Sequence, residues 1–151
     1  MKIKLYFFGK KNEITDRERE LAKRIGFRAK CELIPLSQAG ITEPEKAKEL
    51  EGDKFLSKIC DRDFIIAFDE HGKKMSSVDF SSFLNNSLVD RGDVIFLIGG
   101  AHGIHQKVLD RVDQKISFGE MVWTRNLFRT MALEQIYRAL EIAGGGNFHK
   151  A

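Results

Sequence analysis

The sequence predicts an α/β fold built on a mostly parallel sheet flanked by helices. Three observations carry this. Short apolar runs, KIKLYFF at 2–8, DFIIAFD at 63–69 and VIFLI at 94–98, read as strands. Between them lie segments with helix-start chemistry and helical apolar spacing. No repeat, linker or shift of composition divides the 151 residues, so they are expected to form one domain, 1–151, long enough to bury a core.

The elements follow in order. KIKLYFF is a first strand ending at Gly9. Thr15 and Glu18 have capping-box spacing, and Leu21, Ala22 and Ile25 share one face of the helix that follows. The charges of RERELAKR, 17–24, then read as an exposed face. CELIPL, 31–36, is a second strand. Thr42 is the expected cap of the next helix, with Pro44 in its first turn and an end near Ile59. DFIIAFD is a buried strand, and His71-Gly72-Lys73 reads as a turn after it. Ser76 and Asp79 start a helix that ends before the turn at 90–93. VIFLI is a strand, followed by a short helix at 105–112, a strand at 116–118 and a last helix over 126–143. Gly144-Gly145-Gly146 stops that helix and leaves a short tail.

The apolar fraction of 42% and charged fraction of 31% exclude a disordered or low-complexity chain. A net charge of +3 permits an anionic partner without requiring one. Cys31 and Cys60 show no paired spacing and no CxxC, so both are expected to be reduced core residues of a cytoplasmic protein. The N-terminal run is too short for a signal peptide, and no stretch approaches the ~18 apolar residues of a membrane span.

The strand VIFLI runs into LIGGAHG, with glycines at 99, 100 and 103. Either the glycines make a tight turn or something lies against their backbone. The spacing does not match the dinucleotide fingerprint, and no GK[ST] follows to make a P-loop. His102 and His105 stand three apart without a cysteine or carboxylate cluster, so no metal site is expected.

In order along the second half stand LIGGAHG, ISFGEMVWT, RNLFRTMALEQIYRALEI and a terminal FHK. Together they resemble the RlmH family, small SPOUT-class methyltransferases that modify a pseudouridine of large-subunit ribosomal RNA. FIIAFDEHGK is similar to the family's strand ending in Leu-Asp-x-x-Gly-Lys, so the likeness extends along the chain. It implies a trefoil knot and cofactor site in about 64–151. S-adenosyl-L-methionine would be held by Phe68, by Gly100, and by the loop Gly119, Glu120, Met121, Val122, Trp123 and Thr124.

The resemblance also implies the catalytic set Arg129, Glu134, His149 and Lys150, with Arg125 and Lys150 binding RNA. Tyr137 and Arg138 match the family's helix motif. Arg125 stands where the family has histidine, His102 where it has glutamate, and Phe148 where it has tyrosine. Methyl transfer to N3 of the base would need His149 to accept the N3 proton or polarise a neighbouring carbonyl. The implied partners are 23S ribosomal RNA or the whole ribosome and a second copy of the chain. That homodimer would share its sites and bury a stripe of Leu127, Met131, Ile136 and Leu140. A non-catalytic ribosome- or RNA-binding protein with the same fold is the competing reading, raised by the three departures.

Overall fold

The computed structural model describes residues 1–150. Five strands form one sheet: β1 (Lys2–Phe8), β2 (Lys30–Leu36), β3 (Ile65–Lys74), β4 (Asp93–Ile98) and β5 (Gln114–Ser117). Their order is β2-β1-β4-β3-β5, and every pairing is parallel. The helices are α1 (Asp16–Ile25), α2 (Pro44–Leu56), α3 (Ser77–Arg91), α4 (Gln106–Arg111) and α5 (Arg125–Ala143).

The central strands carry apolar runs, LYFF in β1, IIAF in β3 and VIFLI in β4, because both faces of the sheet are covered there. In β4, Val94, Phe96 and Ile98 turn to one face, and Ile95 and Leu97 to the other. The first face packs under α1, α3 and α5, with Leu21, Leu84, Leu133 and Ile136 fully buried. The second packs under α2 and α4 through Phe55 and Val108. Two predicted helix starts are present: Thr15 accepts the Glu18 N–H at 3.2 Å, and Ser76 accepts the Asp79 N–H at 3.0 Å.

Five expectations are corrected. Glu43, not Thr42, caps α2: its carboxylate accepts the Glu45 and Lys46 N–H groups at 3.1 and 2.8 Å. A carboxylate there also suits the positive end of the helix. The helix ends at Leu56, short of Ile59. Glu18 is not part of a solvated face but fully buried. Cys60 is exposed, while Cys31 is partly buried and its thiol is pushed up to about 12, chiefly by desolvation.

The fifth correction is His71-Gly72-Lys73. The segment is not a turn but a continuation of β3, which shifts register after Phe68 and re-pairs Lys73 and Lys74 with Ile116 and Ser117 of β5. The shift leaves residues 69–72 bulged, as an inserted stretch in a ladder does. At Gly72 the two backbones nearly touch: a Cβ would lie 2.6 to 2.8 Å from main-chain atoms of Lys115 and Ile116. Backbone atoms cannot move aside as a side-chain end can. Gly72→Ala is therefore expected to cost roughly 3 kcal/mol of stability. A urea melt would measure it, and a loss below about 0.5 kcal/mol would show that the strands separate freely there.

No helix is long and apolar enough to cross a membrane among the described residues.

Candidate active site

A cleft of about 780 Å³ opens beyond the carboxyl ends of β3, β4 and β5. That is where parallel sheets place ligands, because strand ends and loops there leave backbone groups unpaired. Its floor is aromatic: Phe68 stacks on Phe96 at 5.5 Å and meets Phe118 and Phe128 at 5.1 and 5.4 Å. Its walls come from the bulged stretch of β3 at 68–70 and from the chain at 98–104 and 116–125, where β4 and β5 give way to loops. Phe68, Gly100, Gly119, Met121, Val122, Trp123, Thr124 and Arg125 all line it. Glu120 does not: it points outward, 88% exposed, and pairs with Lys74 at 3.6 Å. Met121 and Val122 are exposed, and Trp123 is 40% exposed at the same rim.

The glycines divide the two roles the sequence left open. Gly99 and Gly103 make the turn. A Cβ on Gly99 would lie 2.6 Å from Ile104 and 3.1 Å from the backbone of Gly103, and Gly103 has φ +90°. The Gly103 N–H closes the hairpin on the Gly100 carbonyl at 3.1 Å. Gly119 has φ +118° with open space around it, so the loop conformation itself requires glycine there. At Gly100 the neighbour is Glu51 of α2, whose carboxylate oxygens lie 2.6 and 2.9 Å from the Cβ position.

Sequence reasoning missed Glu51, Asp69 and Glu70. Asp69 and Glu70 line the cleft and supply negative charge to it. Their position just past the apolar run IIAF was the available signal, since ligands gather at strand ends. Nothing in the local sequence marks Glu51. Burial pushes its carboxyl above the ordinary glutamate range, against the pull of the Ala39 N–H and of Lys54, His102 and Arg125. Arg125 stands at the start of α5, 3.6 Å from Glu13 and against the Gln38 amide. His105 caps α4, its Nδ1 accepting the Lys107 N–H at 3.1 Å.

The four predicted catalytic residues fall into two places. Arg129 is 1% exposed and faces inward. Its Nε donates to Glu18 at 2.7 Å, its Nη2 to the Glu13 carbonyl at 2.9 Å and its Nη1 to Asn126 at 3.2 Å. The guanidinium also lies 4.4 Å above the Phe7 ring. It grips a carboxylate, as its fork suits it to do, but that carboxylate belongs to the protein.

Glu134 and His149 come together through Arg138. Glu134 pairs with Arg138 one turn along α5, and Arg138 Nη1 donates to His149 Nδ1 at 3.2 Å. Since arginine has only donors, Nδ1 is the acceptor, and the neutral ring then carries its proton on Nε2. Phe148 anchors this tail, edge-on to Tyr137 at 4.8 Å and under Arg138 at 4.7 Å. Lys150 is exposed beside it.

Glu134 lines a second groove of about 580 Å³ between α1 and α5, which meets the cleft at Ile116, Phe118 and Gly119. In the dimer stripe, Ile136 and Leu140 turn into the protomer core. Only Leu127 and Met131 remain outward.

Comparison with known proteins gives this geometry a family. The family description "Predicted SPOUT methyltransferase" matches residues 1–149. A protein of Clostridium acetobutylicum named Ribosomal RNA large subunit methyltransferase H is 38% identical over 160 residues, covering 99% of this chain and 100% of that one. Proteins of the same name from Clostridium beijerinckii and Streptococcus pneumoniae are 36% and 39% identical, with the same coverage. With its parallel sheet, its cleft of converging loops and full-length relatives of one name, the chain belongs to the SPOUT methyltransferase family.

Proposed function

We propose that this protein transfers a methyl group from S-adenosyl-L-methionine to N3 of a pseudouridine in 23S ribosomal RNA, on the assembled ribosome, in the cytoplasm. The observation that carries it is the cleft. It has the volume of a small-molecule site, an apolar floor and a wall of loops whose backbone is open to a ligand. Asp69 and Glu70 suit a cofactor with a sulfonium and an ammonium charge. The trefoil knot implied by the family likeness belongs to the same proposal. The convergence of residues 68–70, 98–104 and 116–125 on one cleft supports it.

When bound, the cofactor supplies an electrophilic methyl group. The chain's own residues bind, align and exclude water. Phe68, Phe118 and Phe128 keep the floor dry. Trp123, half-exposed at the rim, and Arg125 face the side from which a base and its phosphate approach. His149 presents Nε2–H, which polarises a carbonyl flanking N3 and eases transfer of the N3 proton to a water at the open rim of the cleft. Glu134 holds Arg138, and Arg138 holds the imidazole, so both act as positioning residues.

His149 sits against Arg138, about 20 Å along α5 from its first residue at the cleft. A second copy of the chain would bring one protomer's tail to the other's cleft. The outward Leu127 and Met131 and the groove between α1 and α5 offer that copy a surface.

Calorimetry with S-adenosyl-L-methionine tests the cleft, and mass spectrometry of ribosomal RNA from cells with and without the protein tests the reaction. Gly119→Val forces a β-branched residue into φ +118° and is expected to weaken cofactor binding more than about tenfold. Unchanged binding would remove the 116–125 loop from the site. Binding without any change in the RNA would favour the non-catalytic RNA-binding protein.

A further inference from the structure

Glu51 takes no part in the reaction above, yet it is a carboxylate only 5% exposed beside the cleft. The next residue explains how it gets there. Gly52 lets α2 press on α4, since a Cβ would lie 3.0 Å from Val108 and 3.5 Å from His105. The Glu51 carboxylate then reaches the glycine hairpin. It takes up the place that a side chain on Gly100 would need, 2.6 and 2.9 Å from the Cβ position. Lys54 and Arg125 draw on its charge, while burial opposes that charge. An exposed carboxylate would swing away from an intruding Cβ. This one is enclosed and would have to move through packed atoms.

We infer that Glu51 is a positioning residue for the cofactor cleft, fixing the Gly100 backbone and tying the glycine hairpin to α2. Position 100 is then glycine because of Glu51, and a ligand is not needed to explain it. The functional consequence rests on the proposed cofactor site, whereas the packing relation belongs to the free protein.

A double-mutant cycle on the full chain tests it, using Gly100→Ala and Glu51→Ala alone and together, with Glu51→Gln as the conservative variant. Two quantities are read: the melting midpoint of the free protein and the dissociation constant for S-adenosyl-L-methionine. Next to native Glu51, Gly100→Ala is expected to lower the midpoint by at least about 3 °C and weaken binding about tenfold. In the Glu51→Ala background the same change should cost under about 1 °C and twofold, because the new Cβ enters vacated space. Glu51→Gln keeps the shape that packs on Gly100, so its binding should stay within about twofold of native, while Glu51→Ala should lose about fivefold.

Equal cost of Gly100→Ala in both backgrounds overturns the inference, and so does Glu51→Ala behaving as the native protein in both readouts. If Gly100→Ala alone fails to fold, recovery of folding in the double variant reports the same coupling. A native protein that binds no cofactor refutes the proposed function, while the midpoint cycle still decides Glu51.

Discussion

Deleting residues 147–151 is expected to reduce methyl transfer at least about 10²-fold while sparing the fold and most cofactor affinity. The tail lies outside both core clusters, so little packing is lost with it. Among the described residues its contacts include the Phe148 ring on Tyr137 and under Arg138, and the His149 ring on Arg138. What is lost is an imidazole and an ammonium delivered to the site. His149→Ala alone should slow transfer by roughly 10²–10³-fold, the range for losing one hydrogen-bond donor to developing negative charge. Lys150→Ala should act differently, raising the Michaelis constant for RNA and flattening its salt dependence by about one ion's worth. Mixed dimers test the sharing of sites. A tail-deleted subunit paired with one disabled by Gly119→Val should regain one working site, built from the cleft of the first and the tail of the second. Full activity of the tail-deleted protein would instead leave His149 and Lys150 outside the reaction.

Arg129→Ala is expected to destabilise the protein by about 3–5 kcal/mol, because it strands the buried Glu18 carboxylate without its cation. The melting midpoint should fall by roughly 10 °C. Glu18 would keep only the Thr130 hydroxyl at 2.7 Å. The Glu13 carbonyl and Asn126 would lose their donor too, loosening the first turn of α5 beside the cleft. Arg129→Ala combined with Glu18→Ala should cost less than the sum of the two, since each single change already breaks the pair. A loss below about 1 kcal/mol in a urea melt would mean the guanidinium behaves as a solvated helix charge.

The site was legible where it depends on backbone and sequence order. The runs LIGG and GEMVWT stand directly after β4 and β5, and strand ends in a parallel sheet converge, so their residues could be placed in one cleft from the sequence. Glu120 was the exception in that loop: its side chain turns outward to Lys74, a partner that no local pattern marks. Arg129 reads the same in the sequence whether it meets solvent, phosphate or protein, since its position on a helix does not fix what lies 111 residues earlier in the chain.

By itself, then, the sequence determined the alternating strands and helices, the ends of most of them and the family, because apolar period, capping residues and short motifs are local properties. Tertiary structure alone decided three things. It turned Glu18 and Arg129 into a buried pair, carried β3 past Gly72 against β5, and set Glu51 under Gly100. Each joins residues distant along the chain, and only the packing of elements from both sides of the sheet fixes which side chain meets which backbone.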